Sequence, residues 1–525
     1  MLRSPWPDIE IPDVTLTDFV LGDLGSWANS TALVDGPSGR EVTYSQLSHS
    51  VAATAGALMR RGVRPGDVVA IRSRNNWQYA AAVHGALRAG ATVTLLSPVA
   101  TETEVSRQLE HSGARLLFTE SSLVVCSVPR LSRQGWSETD VVVLDGEPDS
   151  AAPYRTLAEL TALGIEPGPV RIAPDRDVAL LPYSSGTSGP SKGVMLTHRN
   201  LVANMLQTQR FMTRLGPRSR TLALMPFFHI YGIQIVLNQS LQAGARVVTM
   251  PQFEFTEFLE TIGKYRVDRL PVAPPILVML AKDPIVDDYD LSSVRYLSSG
   301  AAPLDDEIVA LVKERLGCHV RQGYGMTELS PASHAVPDHR TDIEARAVGF
   351  TVPNMECRVV DLDTGRDVGP GERGELWCRG PNVMKGYLND EAATARTVDA
   401  EGFLHTGDVV TYDTRGVLSV VDRVKELIKY KGHQVPPAEL ESVLLGHTGI
   451  ADAAVVGVPD PVAGELPKAF VVRGAGSSAL SADEVIAFVA ERVPPYQRVR
   501  LVEFVDSIPK SPSGKLLRAA LRNRG

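Results

Sequence analysis

Apolar runs and helix-spaced runs alternate along residues 43–144, and this alternation restricts the fold more than any other feature of the sequence. Leu47, Val51, Ala55 and Leu58 recur at helical spacing behind Thr43 and Gln46, which fit a capping box, so a helix is expected over 43–62. Val68–Ile71 then reads as a strand, Trp77–Ala89 as a helix and Ala91–Leu96 as a strand. Further strand-like runs follow at Ala114–Phe118 and Val141–Leu144. Strands that alternate with helices point to α/β layers with largely parallel sheets.

At 525 residues the chain has room for more than one domain. The clearest late boundary falls near Asp422-Arg423, with short strands and Gly/Asp turns before it over residues 401–423. After it come the basic segment VKELIKYKGHQ, a helix start at Pro436-Pro437, and strand-like runs at Ala453–Val458 and Ala469–Val472. A helix through Val489 follows, opened by Ser481 and Glu484 as a capping box. The expected class is α/β: a large N-terminal domain, 1–423, of layered sheets and helices, with a small mobile α+β domain, 424–525.

The net charge of −8 speaks against broad nucleic-acid or anionic-membrane binding. Cys126, Cys318, Cys357 and Cys378 stand far apart in sequence, without a CxxC pair or zinc-type His spacing, and are expected to be reduced, buried thiols. The stretch MLRSPWPDIEIPDV carries prolines and acids where a signal peptide would need an apolar core, and no uninterrupted apolar run approaches the roughly 20 residues of a membrane span. LRNRG matches no retention or lipidation signal, so a cytoplasmic location is expected.

YSSGTSGPSKG, residues 183–193, lies between the apolar runs Val178–Leu181 and Gly193–Leu196, ahead of a helix start at Thr197. Glycines allow close approach of backbone to a ligand, N–H groups and hydroxyls ring an anion, and Lys192 adds a cation suited to phosphate. The common nucleotide P-loop needs a hydroxyl after the lysine, whereas here Ser191 precedes Lys192 and Gly193 follows it. A nucleoside triphosphate held by another scaffold is the expectation.

Other stretches have a similar flavour, each with a plain structural alternative. Ser299-Gly300-Ala301-Ala302-Pro303 follows an expected strand, Val294–Leu297, and suits either a planar ring against backbone or an ordinary strand-to-helix turn. In Gly323–Glu328, Tyr324 is a stacking surface for adenine or a core tyrosine, while Glu328 is suited to Mg²⁺ among phosphates. Thr406-Gly407-Asp408 offers a carboxylate for ribose hydroxyls or is simply a turn. Lys515, in PKSPSGK, is a solvated charge or one delivered into a cleft by domain closure.

Read together, YSSGTSGPSKG, SSGAAP, GYGMTE, GELWCRG, HTGD, VDRVKELIKYKG and PKSPSGK stand in an order that resembles the acyl-adenylating superfamily of acyl-CoA synthetases, luciferases and nonribosomal adenylation domains. The resemblance covers nearly the whole chain. MPFFHIYG, KYRVDRLPVAPPI, DLSSVRYLSSGAAPL, RQGYGMTELSP and VPNMECRVVD bring it closest to the 4-coumarate-CoA ligases and their bacterial relatives.

The resemblance implies roles. Ser184, Ser185, Gly186, Thr187, Ser188, Gly189 and Lys192 would hold the ATP phosphates, and Ala301, Ala302, Tyr324 and Gly325 would flank adenine. Asp408 and Arg423 would hold ribose, Thr327 and the metal ligand Glu328 would sit near the α-phosphate and Mg²⁺, and Lys429 and Gln434 would face the active site. Lys515, Thr187, Glu328 and His229 would be catalytic, Lys425 the hinge, and Lys431-Gly432 the segment meeting coenzyme A. His229, Tyr231, Ile235, Ser299, Gly325, Ala332 and Ser333 would border the acyl group, although His229 and Tyr231 taken alone read as core residues equally well.

Ser188 and Ser191 depart from the usual threonine and proline of the phosphate loop. Gln234, Ile235, Ser333 and His334 depart from the hydroxycinnamate pattern, so a benzoate-type acid, another arylpropenoate or a medium-chain fatty acid all stay open. The leading expectation is an ATP-, Mg²⁺- and CoA-dependent acid–CoA ligase favouring aryl acids. An adenylation enzyme loading a carrier-protein pantetheine and a non-catalytic nucleotide-binding regulator are the alternatives.

Overall fold

The computed structural model describes residues 1–124, 136–146, 154–184, 191–212, 215–300, 306–474, 476–477, 479–510 and 516–522. The alternation read from the sequence becomes an eight-stranded sheet among these residues, with Val178–Ser184, Thr92–Leu96, Val68–Arg72 and Ala114–Thr119 as neighbouring parallel strands. The helix Tyr44–Arg60 starts on the expected Thr43–Gln46 capping box and packs against the helix Trp77–Arg88. Leu47, Val51, Ala55 and Leu58 are all buried, in the core cluster that also takes in Val69, Val93 and Leu180 of the sheet.

A second sheet of 14 strands has two characters. Its parallel part runs His319–Gly325, Tyr296–Ser299, Arg269–Val272, Arg220–Ala223, Arg246–Thr249, Thr31–Asp35. Its antiparallel wing includes the hairpin Leu404–Tyr412/Leu418–Arg423 and the pair Glu356–Val360/Gly374–Arg379. The strand expected at Val294–Leu297 begins two residues later, because Val294 N–H is spent on the Leu291 carbonyl in a turn and pairing starts where Tyr296 meets Arg269. Buried Asn75 stitches the two sheets: its amide donates to the Ala223 and Met225 carbonyls at 2.7 and 3.0 Å, and its oxygen accepts from Phe227 N–H at 2.8 Å. That fixes the chain leading into His229.

A third sheet of five strands, within residues 428–504, has its own core cluster around Ile428, Val455, Val471 and Val485. The molecule is thus a large N-terminal domain with several sheets and a small C-terminal domain. The two strand-like runs of this domain are longer than expected, Ile450–Asp460 and Gly464–Arg473, since one antiparallel hairpin extends both past their apolar centres. The basic segment VKELIKYKGHQ is itself a hairpin, with Tyr430 opposite His433 across Lys431-Gly432. Lys431 and Gly432 have φ of 48° and 81°, the pair of positive values that a two-residue turn of this hand demands.

The expected reduced, buried thiols are found at Cys318, Cys357 and Cys378, and Cys126 lies outside the described residues. Cys357 and Cys378, distant in sequence, are direct cross-strand partners with their sulfurs 3.7 Å apart, both buried and unbridged. Register across a long-range strand pair brings them together, and sequence spacing carries no trace of it.

Candidate active site

Ser184 and Lys192 are opposite each other on antiparallel strands. Ser184 Oγ donates to Glu328 Oε1 at 3.1 Å, and Tyr387 Oη donates to the same oxygen at 2.9 Å. Lys192 Nζ lies 4.7 Å from the Tyr387 ring centroid, a cation–π contact. Burial, then the Glu328 charge, pushes the Tyr387 phenol above its ordinary range, so it remains a donor. Glu328 is itself buried within the short helix Thr327–Leu329, and its backbone carbonyl accepts from Met384 N–H. Among the described residues no hydrogen bond reaches its second oxygen, Oε2.

A second cluster forms where the wing hairpin meets the end of the parallel strands. Asp408 and Arg423 are cross-strand partners, with Arg423 Nε 3.2 Å from Asp408 Oδ1. Tyr324 Oη donates to Asp408 Oδ2 at 2.5 Å. Burial and the Asp408 charge raise the Tyr324 phenol well above its usual value. Gly325 stays exposed on this strand, and a side chain there would put Cβ 1.9 Å from the Pro331 carbonyl oxygen. The structure therefore brings Ser184, Lys192 and Glu328 together, and Tyr324, Asp408 and Arg423 together.

Tyr231, two residues after His229, opens a π-helix, Tyr231–Asn238, a feature no periodicity announces. Tyr231 N–H donates to His229 Nδ1 at 3.3 Å, and the Tyr231 hydroxyl meets Ser298 Oγ at 3.3 Å. Gln234 points into packing: it is fully buried and its amide donates to the Leu201 carbonyl at 2.7 Å. Ile235 and Ala332 are half-buried. Ser299 is buried, with an Oγ that finds no partner among the described residues. Ser333 is fully buried, its hydroxyl 3.0 Å from His334 Nδ1, and the structure does not bring it to an open surface.

Lys425, Lys429, Lys431, Gly432 and Gln434 are all exposed. Lys429 and Gln434 are cross-strand partners, yet among the described residues no hydrogen bond or ion pair joins them to the Glu328 or Asp408 clusters. Ser185, Gly186, Thr187, Ser188, Gly189, Ala301, Ala302 and Lys515 lie outside the described residues.

Residues 24–388 match the family model described as AMP-binding enzyme, and residues 439–515 match the AMP-binding enzyme C-terminal domain. The chain belongs to the AMP-binding enzyme family.

Among curated relatives it is 40% identical to 4-coumarate–CoA ligase 2 of Nicotiana tabacum, over 99% of this chain and 96% of that protein. It is 41% identical to 4-coumarate–CoA ligase-like 9 of Oryza sativa subsp. japonica, covering 100% and 95%. Among solved structures it is similar to ATP-bound MatB from Rhodopseudomonas palustris, at a TM-score of 0.88 and 26% identity over 98% and 99% of the two chains. The anthranilate CoA ligase AuaEII in complex with anthranoyl-AMP gives a TM-score of 0.89 at 26% identity, with 98% of each chain covered. With membership go the enzyme class, an AMP-forming acid–CoA ligase, and the use of ATP and a carboxylic acid.

Within this AMP-binding enzyme, sequence reasoning missed Tyr387, which holds Glu328 and underlies Lys192, and Ser298, which meets Tyr231. Both are ordinary residues in ordinary strands, and only long-range pairing reveals them. No helix among the described residues is long and apolar enough to cross a membrane.

Proposed function

We propose that the chain is an acid–CoA ligase for aryl acids, working in two half-reactions with a movement of the 424–525 domain between them. The observation that carries this reading is the pair of preassembled carboxylates. Asp408, held between Tyr324 and Arg423, is suited to accept from ribose hydroxyls, and one Glu328 oxygen has no donor among the described residues.

That oxygen fits Mg²⁺, which takes few carboxylates and completes its shell with phosphate oxygens. No larger cluster of metal-binding side chains exists among the described residues, which suits an ion carried in by the nucleotide. When bound, Mg²⁺ would draw negative charge off the phosphate oxygens.

Lys192 and the hydroxyls of Ser184, Ser185, Thr187 and Ser188, with the backbone of Gly186 and Gly189, grip the phosphates, while Ala301, Ala302 and Tyr324 flank adenine. Thr327 and Lys515 attend the α-phosphate. A carboxylate attacking the α-phosphorus meets like charge, so these donors act by positioning and by electrostatic relief. The acid carboxylate oxygen forms the new bond to phosphorus and pyrophosphate departs. The thiol of CoA then attacks the acyl carbonyl, losing its proton to solvent as the C–S bond forms, and AMP departs with the electrons of the broken C–O bond.

Lys515 covers the carbonyl in the first step. Rotation about Lys425 removes it, brings Lys431-Gly432 toward CoA, and changes what Lys429 and Gln434 face, a hinge movement. His229 lies by the thiol path and Tyr231, Ile235, Ser299 and Ala332 border the acyl group. Similarity to 4-coumarate–CoA ligases and to an anthranilate CoA ligase supports an aryl acid.

Pyrophosphate release with ATP and Mg²⁺, against benzoates, arylpropenoates and medium-chain fatty acids, tests the proposal. Release with an aryl acid that rises on adding CoA is expected. Release only with fatty acids would overturn the aryl assignment, and indifference to CoA would overturn the acceptor.

A further inference from the structure

Tyr387 touches both charged groups of the phosphate end of the site, and its own place is fixed from two directions. The strand Lys192–Thr197 runs between Val178–Ser184 on one side and Gly386–Tyr387 on the other, with Val194 opposite Tyr387. The segment around Tyr387 is bonded through its backbone to this strand and to the short helix of Glu328. Met384 N–H donates to the Glu328 carbonyl and Lys385 N–H to the Met195 carbonyl, each at 2.9 Å. Leu388 N–H donates to the Gly193 carbonyl at 2.8 Å, and Tyr387 N–H to Thr394 Oγ1 at 2.9 Å. The ring is therefore placed by the same elements that carry Lys192 and Glu328.

Its two ends do different things. The hydroxyl donates to Glu328 Oε1 at 2.9 Å, while the ring face carries Lys192 Nζ 4.7 Å from its centroid. Tyr387 and Glu328 are both buried, and Lys192 is half-buried. Among the described residues no ion pair joins Lys192 to Glu328.

That separation has a physical consequence. In a site shielded from water, a lysine and a carboxylate in contact attract strongly and spend their charges on each other. A phosphate or a divalent ion would then have to break the pair before binding. An aromatic face holds the cation through its quadrupole and leaves the positive charge unneutralised. The phenol, pushed up by burial and by the Glu328 charge, stays protonated and donates to one carboxylate oxygen without cancelling its charge.

We infer that Tyr387 is a positioning residue that keeps Lys192 and Glu328 apart, its ring reserving the lysine for phosphate and its hydroxyl holding the carboxylate for a divalent ion. The inference rests on the proposed assignment of Lys192 to the ATP phosphates and of Glu328 to Mg²⁺. It adds to that reading the residue that stops the two from neutralising each other.

Calorimetric titration of the protein with ATP, in excess Mg²⁺ and again in EDTA, without acid or CoA, separates the two ends of the side chain. The native protein should bind ATP more tightly with Mg²⁺. Tyr387→Phe keeps the ring and loses the donor, so it should cut the Mg²⁺ advantage about tenfold while affinity in EDTA stays within about twofold of native. Tyr387→Leu loses the ring as well, and should also weaken binding in EDTA by about threefold or more. Should Tyr387→Leu fail to fold, Tyr387→Met supplies the non-aromatic comparison, and Tyr387→Phe decides the role of the hydroxyl in either case. A tyrosine that served packing alone would give Tyr387→Phe equal losses with and without Mg²⁺, or none, and either result overturns the inference. So does a non-aromatic variant that matches Tyr387→Phe in EDTA. Native protein that binds ATP equally in both conditions would overturn the assignment of Glu328 to Mg²⁺ and the inference with it, and absence of ATP binding would overturn the nucleotide site itself.

Discussion

On the large domain, Asp408 is gripped by Tyr324 and Arg423, and Glu328 by Ser184 and Tyr387. On the small domain, Lys429, Lys431, Gly432 and Gln434 stand exposed on a hairpin, with no bond among the described residues to either carboxylate. In the proposed scheme the first half is preassembled by these bonds and the second half travels to complete it. The polar ties between the domains include one buried and one exposed contact. Buried Asp422 accepts from Ala438 N–H at 2.8 Å, and Arg373 pairs with Glu439 at 2.6 Å with both side chains more than a third exposed. An exposed pair of that kind contributes about 0–1 kcal/mol. Under the proposed function, the contrast assigns nucleotide recognition to preorganised contacts and switching between half-reactions to weak ties.

The largest effect should come from the travelling half. Lys515→Ala should lower adenylate formation by about 10²–10³-fold, the usual cost of losing an electrostatic contact to developing charge. Thioester formation from supplied acyl-adenylate should stay within about twofold of native, since Lys515 has left the site by then. Parallel loss in rapid-quench assays of both half-reactions would put the two halves on the same footing and break the contrast.

Next in size are the rigid contacts. Asp408→Asn should raise KM for ATP by about tenfold to a hundredfold, because a charge-assisted acceptor is lost inside a buried cluster. Tyr324→Phe, which removes one donor to that carboxylate, should raise it by less, about threefold to tenfold. Steady-state kinetics with ATP varied checks both. The opposite ranking would mean that Tyr324 serves the nucleotide mainly through its ring.

The smallest effect concerns the tie between the domains. Burial raises Asp422 to about 6 from an ordinary carboxylate value of 3.8. The folded protein therefore binds a proton that the unfolded chain has released between those values. Its contribution is fully present at low pH and is lost as pH rises through about 6, by at most about 3 kcal/mol. Asp422→Asn should remove this component, so the difference in denaturant stability between native and variant should change between pH 4 and 6 and level off above it. A constant difference across that window would show that Asp422 does not titrate there.

Much of this was legible in the sequence where local rules act. Thr43 and Ser481 announce helices through capping boxes and Thr197 reads as a helix start, and all three helices begin there. The layered α/β plan follows from alternation alone. Candidate site residues stood out as motifs, because close backbone approach and charge leave a local mark, as at Gly325 and Asp408. What was illegible depends on partners far along the chain. Nothing near Tyr387 says that it will reach Glu328, and nothing near Cys357 predicts Cys378. The π-helix after His229 is equally silent, since its residues are apolar and would serve an α-helix as well.

The central claim, that a finished half is completed in turn by two placements of a mobile half, is most directly tested by distance. Val462 and Leu163, exposed at 86% and 56%, can carry spin labels as Val462→Cys and Leu163→Cys in a Cys126→Ser background, since Cys318, Cys357 and Cys378 are buried. Distances would be measured with ATP and a turned-over acid, and again with acyl-adenylate and CoA. The account predicts two distinct distance distributions, with Lys425→Pro confining the protein to one of them. A single unchanged distribution under both conditions would contradict it.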